Sequence, residues 1–109
     1  MLDYYEVEVT EDDVRRAEAL RTKAGPLGFM SSRSCPVALA VKRATGAERV
    51  MLADSYCIFI NDDVYTSKDR RIDRMIHWFD SRGEESPELP LIFGISFHCN
   101  KPSYFRRGD

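Results

Sequence analysis

The sequence predicts an α+β domain in the order β-α-α-β-β-α-β, an antiparallel sheet of about four strands with helices on one face. Three observations carry that reading. Residues 4–9 and 91–98 alternate in the period of half-buried strands. Ile72, Met75, Ile76 and Phe79 fall at i, i+3, i+4 and i+7, one side of a helix. Cys35-Pro36 followed by an apolar run and Gly46 marks a second, shorter helix.

Taken in order, Tyr5, Val7 and Val9 share one face of the first strand. Thr10 then opens a helix. Its hydroxyl caps free amides, and Glu11, Asp12 and Asp13 sit against the positive end of the dipole. Val14, Ala17, Ala19 and Leu20 give this helix only a thin apolar side, as on a surface helix. Gly25 to Ser34 holds two glycines, a proline and three serines and reads as a loop. The helix after Cys35 carries Val37, Ala38, Leu39, Ala40 and Val41, so it must be largely buried. Residues 48–53 and 56–60 read as a hairpin around a two-residue Asp54-Ser55 connection. Asn61-Asp62-Asp63 makes the next turn, and Val64-Tyr65 is a short extended piece. Thr66 with Asp69 then forms a capping box for a helix that ends near Gly83. Residues 84–90 connect to a last strand with Leu91, Phe93, Ile95 and Phe97 on one face.

With 109 residues, 43% hydrophobic and 31% charged, the chain fits one globular domain over 1–100 with a basic, aromatic tail at 101–109. Every apolar run falls short of the roughly 20 residues of a membrane helix. Met1 to Glu8 alternates with acids instead of forming a basic-then-apolar leader, so a soluble, cytoplasmic protein with no membrane partner is expected. The net charge of −2 is unevenly spread: residues 1–18 carry −5 and residues 19–50 carry +5. Neither stretch suffices to bind nucleic acid by charge alone; a steered protein contact fits better.

Cys35, Cys57 and Cys99 lie 22 and 42 residues apart without a C-x-x-C pair. That spacing speaks against a disulfide framework or a zinc knuckle and for reduced thiols. Cys35, at a helix start beside Arg33, is the best candidate for thiol chemistry. A phosphatase-like loop needs an arginine six places on, where the chain has Val41, so a capping side chain is the favoured reading. Asp73, His77 and Asp80 fall on one side of the third helix, an acid/base pair or half a metal site. They lack a second histidine or cysteine in reach, and a solvated face is favoured. Ser31, Ser32 and Ser34 lack the phosphate-loop pattern, and the basic run of Lys68, Arg70, Arg71 and Arg74 is half neutralised by Asp69 and Asp73. No cofactor or metal site is expected.

The segment Ser34-Cys35-Pro36-Val37-Ala38-Leu39-Ala40-Val41-Lys42-Arg43-Ala44, preceded by the acidic helix start and followed by the helix ending Trp78-Phe79-Asp80, resembles small uncharacterised accessory proteins of bacteriophages and prophages. These pair a Cys-Pro-x-Ala-Leu-Ala helix start with a Phe-Asp. The likeness covers about the central two thirds of the chain, while the basic loop and the stretch after Cys99 are longer here, so no role seated there carries over. The resemblance implies an accessory protein acting in the host cytoplasm. One sub-class, the anti-CRISPR and other anti-defence inhibitors, occludes a surface of a host nuclease complex.

Aromatic and arginine residues in loops are the other positive signal, because such side chains dominate interface hot spots. Phe29, Met30 and Arg33 in the loop, Lys42 and Arg43 at a helix end, and Tyr104, Phe105, Arg106 and Arg107 in the tail are the candidate partner-binding residues. Trp78 joins them, reading equally as core or as surface one residue from Phe79. The expectation is therefore a non-enzymatic binding protein for a larger host protein or nucleoprotein complex. Its rivals are a small thiol or metal enzyme using Cys35 or His77, Asp73 and Asp80, and a weak nucleic-acid binder.

Overall fold

A computed structural model describes residues 2–23, 35–53, 57–81 and 87–100. β1 (Tyr4–Val9) buries Val7 and Val9 and half-buries Tyr5, the face its alternation predicts. α1 (Glu11–Lys23) starts in a reciprocal cap: the Thr10 amide donates to Asp13 Oδ2 at 2.9 Å, and the Asp13 amide donates to Thr10 Oγ1 at 3.3 Å. Its apolar side is thinner than expected, since Ala17 is buried but Ala19 and Leu20 are exposed.

α2 (Pro36–Thr45) follows its local signals closely. The Cys35 Sγ accepts the Ala38 amide at 3.4 Å, Pro36 occupies the first turn, and Gly46 ends the helix at φ 71°, where its N–H reaches the Lys42 carbonyl. Pro36, Val37, Ala38, Ala40 and Val41 are all buried, because α2 packs on the sheet and is itself flanked by α1 and by α3 (Arg70–Ser81). On α3 the side chains of Ile72, Met75 and Phe79 are fully buried, each worth about 1.5–3 kcal/mol relative to exposure.

The sheet has five antiparallel strands in the order β1-β5-β4-β3-β2, with β2 at Val50–Leu52, β3 at Cys57–Ile60, β4 at Asp63–Thr66 and β5 at Leu91–Asn100. After α3 the chain returns to fill the place between the first and fourth strands, setting Phe93 opposite Val7 and Leu91 opposite Val9. Val50, Leu52, Ile58, Ile60, Tyr65, Leu91, Phe93 and Ile95 meet α2, Ile72 and Met75 in one core. The helices thus cover one face.

Three local expectations need correction. The extended piece at Val64-Tyr65 is a fifth strand; four residues are too few to display an alternation, and its ladders to β3 and β5 are set by partners distant in sequence. Pairing with Cys57 and Ser96 holds Thr66 extended, so it cannot cap α3. Asp69 does so instead, its Oδ1 accepting the Arg71 amide at 2.9 Å. In the first hairpin the Ala53 amide donates to the Cys57 carbonyl at 2.9 Å, and the connection expected at Asp54-Ser55 lies outside the described residues. Finally, the pairing of β4 with β5 slips between Val64–Cys99 and Tyr65–Phe97, with one extra residue, His98, on β5. Phe97 stays 41% exposed at the end of the core, its ring edge-on to Tyr65 at 5.7 Å.

Asn61, at φ 54°, takes the left-handed conformation that the two-residue turn between β3 and β4 demands. The loop read at Gly25 to Ser34 and the segment 101–109 lie outside the described residues.

Candidate functional site

Lys42 and Arg43 end α2, where cations complement the negative end of the dipole. Arg43 is held by the body of the protein. Its guanidinium bonds the Asp13 carboxylate and donates to the Glu8 carbonyl at 2.6 Å, tying the ends of α2, α1 and β1 together. Asp13 is completely buried, with Oδ2 accepting from Thr10 and Oδ1 from Arg43. The hydrogen bond to Asp13 raises the Arg43 pKa beyond its ordinary value, so the group is a permanent cation.

Beside this pair lies a shallow cleft of about 390 Å³ lined by Arg16, Leu39, Lys42, Arg43, Gly46 and Ala47. Among the described residues its lining includes no carboxylate. Arg16 and Lys42 are exposed and make no ion pair among the described residues, and Leu39, half-buried, supplies an apolar floor. Lys42 also borders a smaller cavity of about 130 Å³ with Glu48, Arg49 and Val50, where Arg49 faces Asp62 at 3.6 Å. The basic surface therefore gives way to a mixed one at that edge. Chemically, the cleft offers two exposed cations and one held in place around apolar surface, an arrangement able to receive a carboxylate.

A second cavity of about 430 Å³ is lined by Arg71, Arg74, Pro87, Glu88, Pro90 and Leu91. Arg71 is spent on Asp69, at 2.6 Å, and on the Ile92 carbonyl, at 2.7 Å, and Glu88 sits in the wall. An incoming anion meets a neutralised surface there.

The thiol of Cys35 is 3% exposed, and burial pushes its pKa from 9.0 up to about 11 against the opposing pull of the Ala38 and Val37 amides. Cys35 is a neutral cap at neutral pH and no activated nucleophile. Asp73, His77 and Asp80 are all exposed on α3, and among the described residues no group of three such side chains is arranged to hold a metal. Among the same residues no helix is long and apolar enough to cross a membrane.

Of the anticipated binding residues, the fold brings Lys42 and Arg43 into one cleft and leaves Trp78 outside its lining. Trp78 is half-buried, packed against the core with its ring 6.3 Å from that of Phe79. Phe29, Met30, Arg33, Tyr104, Phe105, Arg106 and Arg107 fall outside the described residues. Arg16 escaped the sequence reading because nothing local links it to Lys42, and Leu39, three residues before Lys42 on α2, was read only as part of the apolar run. Asp13 left a trace in the Thr10-x-x-Asp13 spacing. No family model, curated protein or solved structure matches this chain.

Proposed function

We propose that the chain is a non-enzymatic binding protein that attaches to an acidic surface of a larger protein or nucleoprotein complex through the cleft between α1 and α2. The observation that carries this reading is a cleft with cations and an apolar floor but, among the described residues, no carboxylate in its lining, on a chain whose net charge is negative. A general nucleic-acid binder is disfavoured by the acids nearby. Glu6 and Glu8 on β1 and Glu11 and Asp12 on α1 are exposed and repel a continuous phosphate backbone, whereas a discrete acidic patch meets only the cleft. A thiol enzyme is disfavoured by the burial of Cys35. The most specific form of the proposal is occlusion of a host defence nuclease complex, in the manner of an anti-CRISPR inhibitor. That form draws on the resemblance carried by the Cys35 helix start and Phe79-Asp80 alone, with Phe29, Met30 and Arg33 as further contact candidates.

The test compares the wild-type chain with an Arg16→Glu/Lys42→Glu variant in affinity capture from host lysate, with and without nuclease. A stoichiometric protein complex should survive nuclease and be lost, or weakened at least tenfold, in the variant, since close charge pairs at interfaces couple by about 1.5 kcal/mol or more. Unchanged capture by the variant defeats the cleft assignment. Bound material that disappears with nuclease moves the reading to nucleic acid.

A further inference from the structure

β1 forms one edge of the sheet and is six residues long, whereas β2 at the opposite edge has only three. The Phe97 amide donates to the Asp3 carbonyl at 2.7 Å, and Tyr4 stands opposite Ser96. That phase directs the backbone groups of Tyr5, Val7 and Val9 to β5 and those of Tyr4, Glu6 and Glu8 away from the sheet. The Glu8 carbonyl shows the direction, since it accepts from the Arg43 guanidinium at 2.6 Å. The outward amides of Tyr4, Glu6 and Glu8 and the outward carbonyls of Tyr4 and Glu6 have no hydrogen-bond partner among the described residues. Nor does the Tyr4 ring screen them: it lies over Gly94 of β5, in the space a side chain there would fill. Unpaired edges of this length are templates for a further strand. Arg43 closes one end of the row, at Glu8, and leaves the rest open.

The geometry points to the β1 edge as a docking site for an extended, basic segment of a partner protein, added to the sheet as a sixth strand. Pairing with Tyr4 and Glu6 supplies backbone bonds that any sequence can make. Side chains do the selecting. Glu6 and Glu8 are exposed on the outer face of β1, and exposed Glu11 follows at the start of α1. Lysine or arginine at alternate positions of the incoming strand therefore meets a carboxylate. A second copy fits poorly, because it would set two acidic edges against each other. Arg43 borders both this edge and the cleft, but the two carry opposite charge, and the edge does not rest on the proposed binding role of the cleft.

Amide hydrogen exchange of the full chain, read by NMR, tests the inference with an acetylated, amidated peptide alternating lysine and valine as the probe. Bound peptide should slow exchange at Tyr4 and Glu6 several-fold and leave Val7, already bonded to β5, unchanged. A fully N-methylated peptide of the same sequence keeps the charge but cannot pair, and it should leave Tyr4 and Glu6 fast. Glu6→Lys/Glu8→Lys changes two exposed side chains, and it should weaken the lysine peptide several-fold and favour one alternating glutamate and valine. No slowing by the lysine peptide, or equal slowing by its N-methylated form, overturns the docking edge. Equal slowing of the wild-type chain by the glutamate peptide overturns the basic partner. Slowing that appears without peptide as protein concentration rises overturns it in favour of a second copy.

Discussion

Asp13 and Cys35 both have their polar groups taken out of water by the fold, which treats them differently. Asp13 stays in hydrogen-bonding reach of Thr10 and Arg43, so it keeps partners at full burial. Asp13→Ala removes one half of the reciprocal cap and strips Arg43 of its carboxylate; a loss of about 2 kcal/mol is expected, moderated because Arg43 is half exposed. Urea unfolding should show a lower midpoint at unchanged slope, and a shift under about 0.5 kcal/mol would mean that solvent screens the pair. Arg43→Ala mixes this loss with any loss of binding, so Arg16 and Lys42 are the cleaner probes of the cleft. Cys35 is held neutral instead, and its raised pKa has a definite sign in stability. Below about pH 9 folded and unfolded chains both carry the proton. Above it the unfolded chain releases the proton first, so stability falls as pH rises towards 11, by about 2–3 kcal/mol in all. Cys35→Ser keeps an oxygen cap that does not titrate in this range, and it should lack that part of the alkaline decline. Equal declines in wild type and variant would show that the thiol is open to solvent.

At the scale of elements, the helices differ in how much of themselves they encode. α2 carries both ends in its own sequence, Cys35-Pro36 at one and Gly46 at the other, and it forms where those signals fall. α3 is specified by its stripe more than by its ends: Ile72, Met75 and Phe79 are all buried as their spacing requires, yet its start moves to Asp69 once Thr66 is drawn into β4. The carboxylate of Asp69 is held below the ordinary range by hydrogen bonds from the Arg71 side chain, which keeps this cap charged well into mild acid. Met75→Asp places an uncompensated charge in the centre of the stripe, and the protein should unfold or aggregate; the cost exceeds about 4 kcal/mol, a large share of a domain's total stability. Loss of the cooperative thermal transition by circular dichroism is the expected result. A soluble variant with a normal transition would remove α3 from the core. The strands show the same division: the long alternation of β5 is legible, whereas four-residue β4 exists only through its neighbours.

For the whole molecule, the fold brings part of the acidic first stretch against part of the basic second one. α1 packs on α2 and Asp13 meets Arg43 thirty residues away, while Arg16 and Lys42 stay exposed in the cleft without an ion pair among the described residues. The sequence by itself determined the α+β class, the helix ends at Cys35-Pro36 and Gly46, the buried stripe of α3 and the inward face of β1, because each is written in residues three or four apart, or alternating, along one segment. Lys42 was legible as a candidate from its charge alone, while Arg16 and Leu39 beside it were not. Only the tertiary structure decided the strand order with β5 between β1 and β4, the register slip that turns Cys99 to the outer face, the partner of Arg43 and the lining of the cleft. Each of these depends on which distant segments are brought into contact, and the energy that selects among such pairings is shared across the whole core, so no single stretch of sequence carries it.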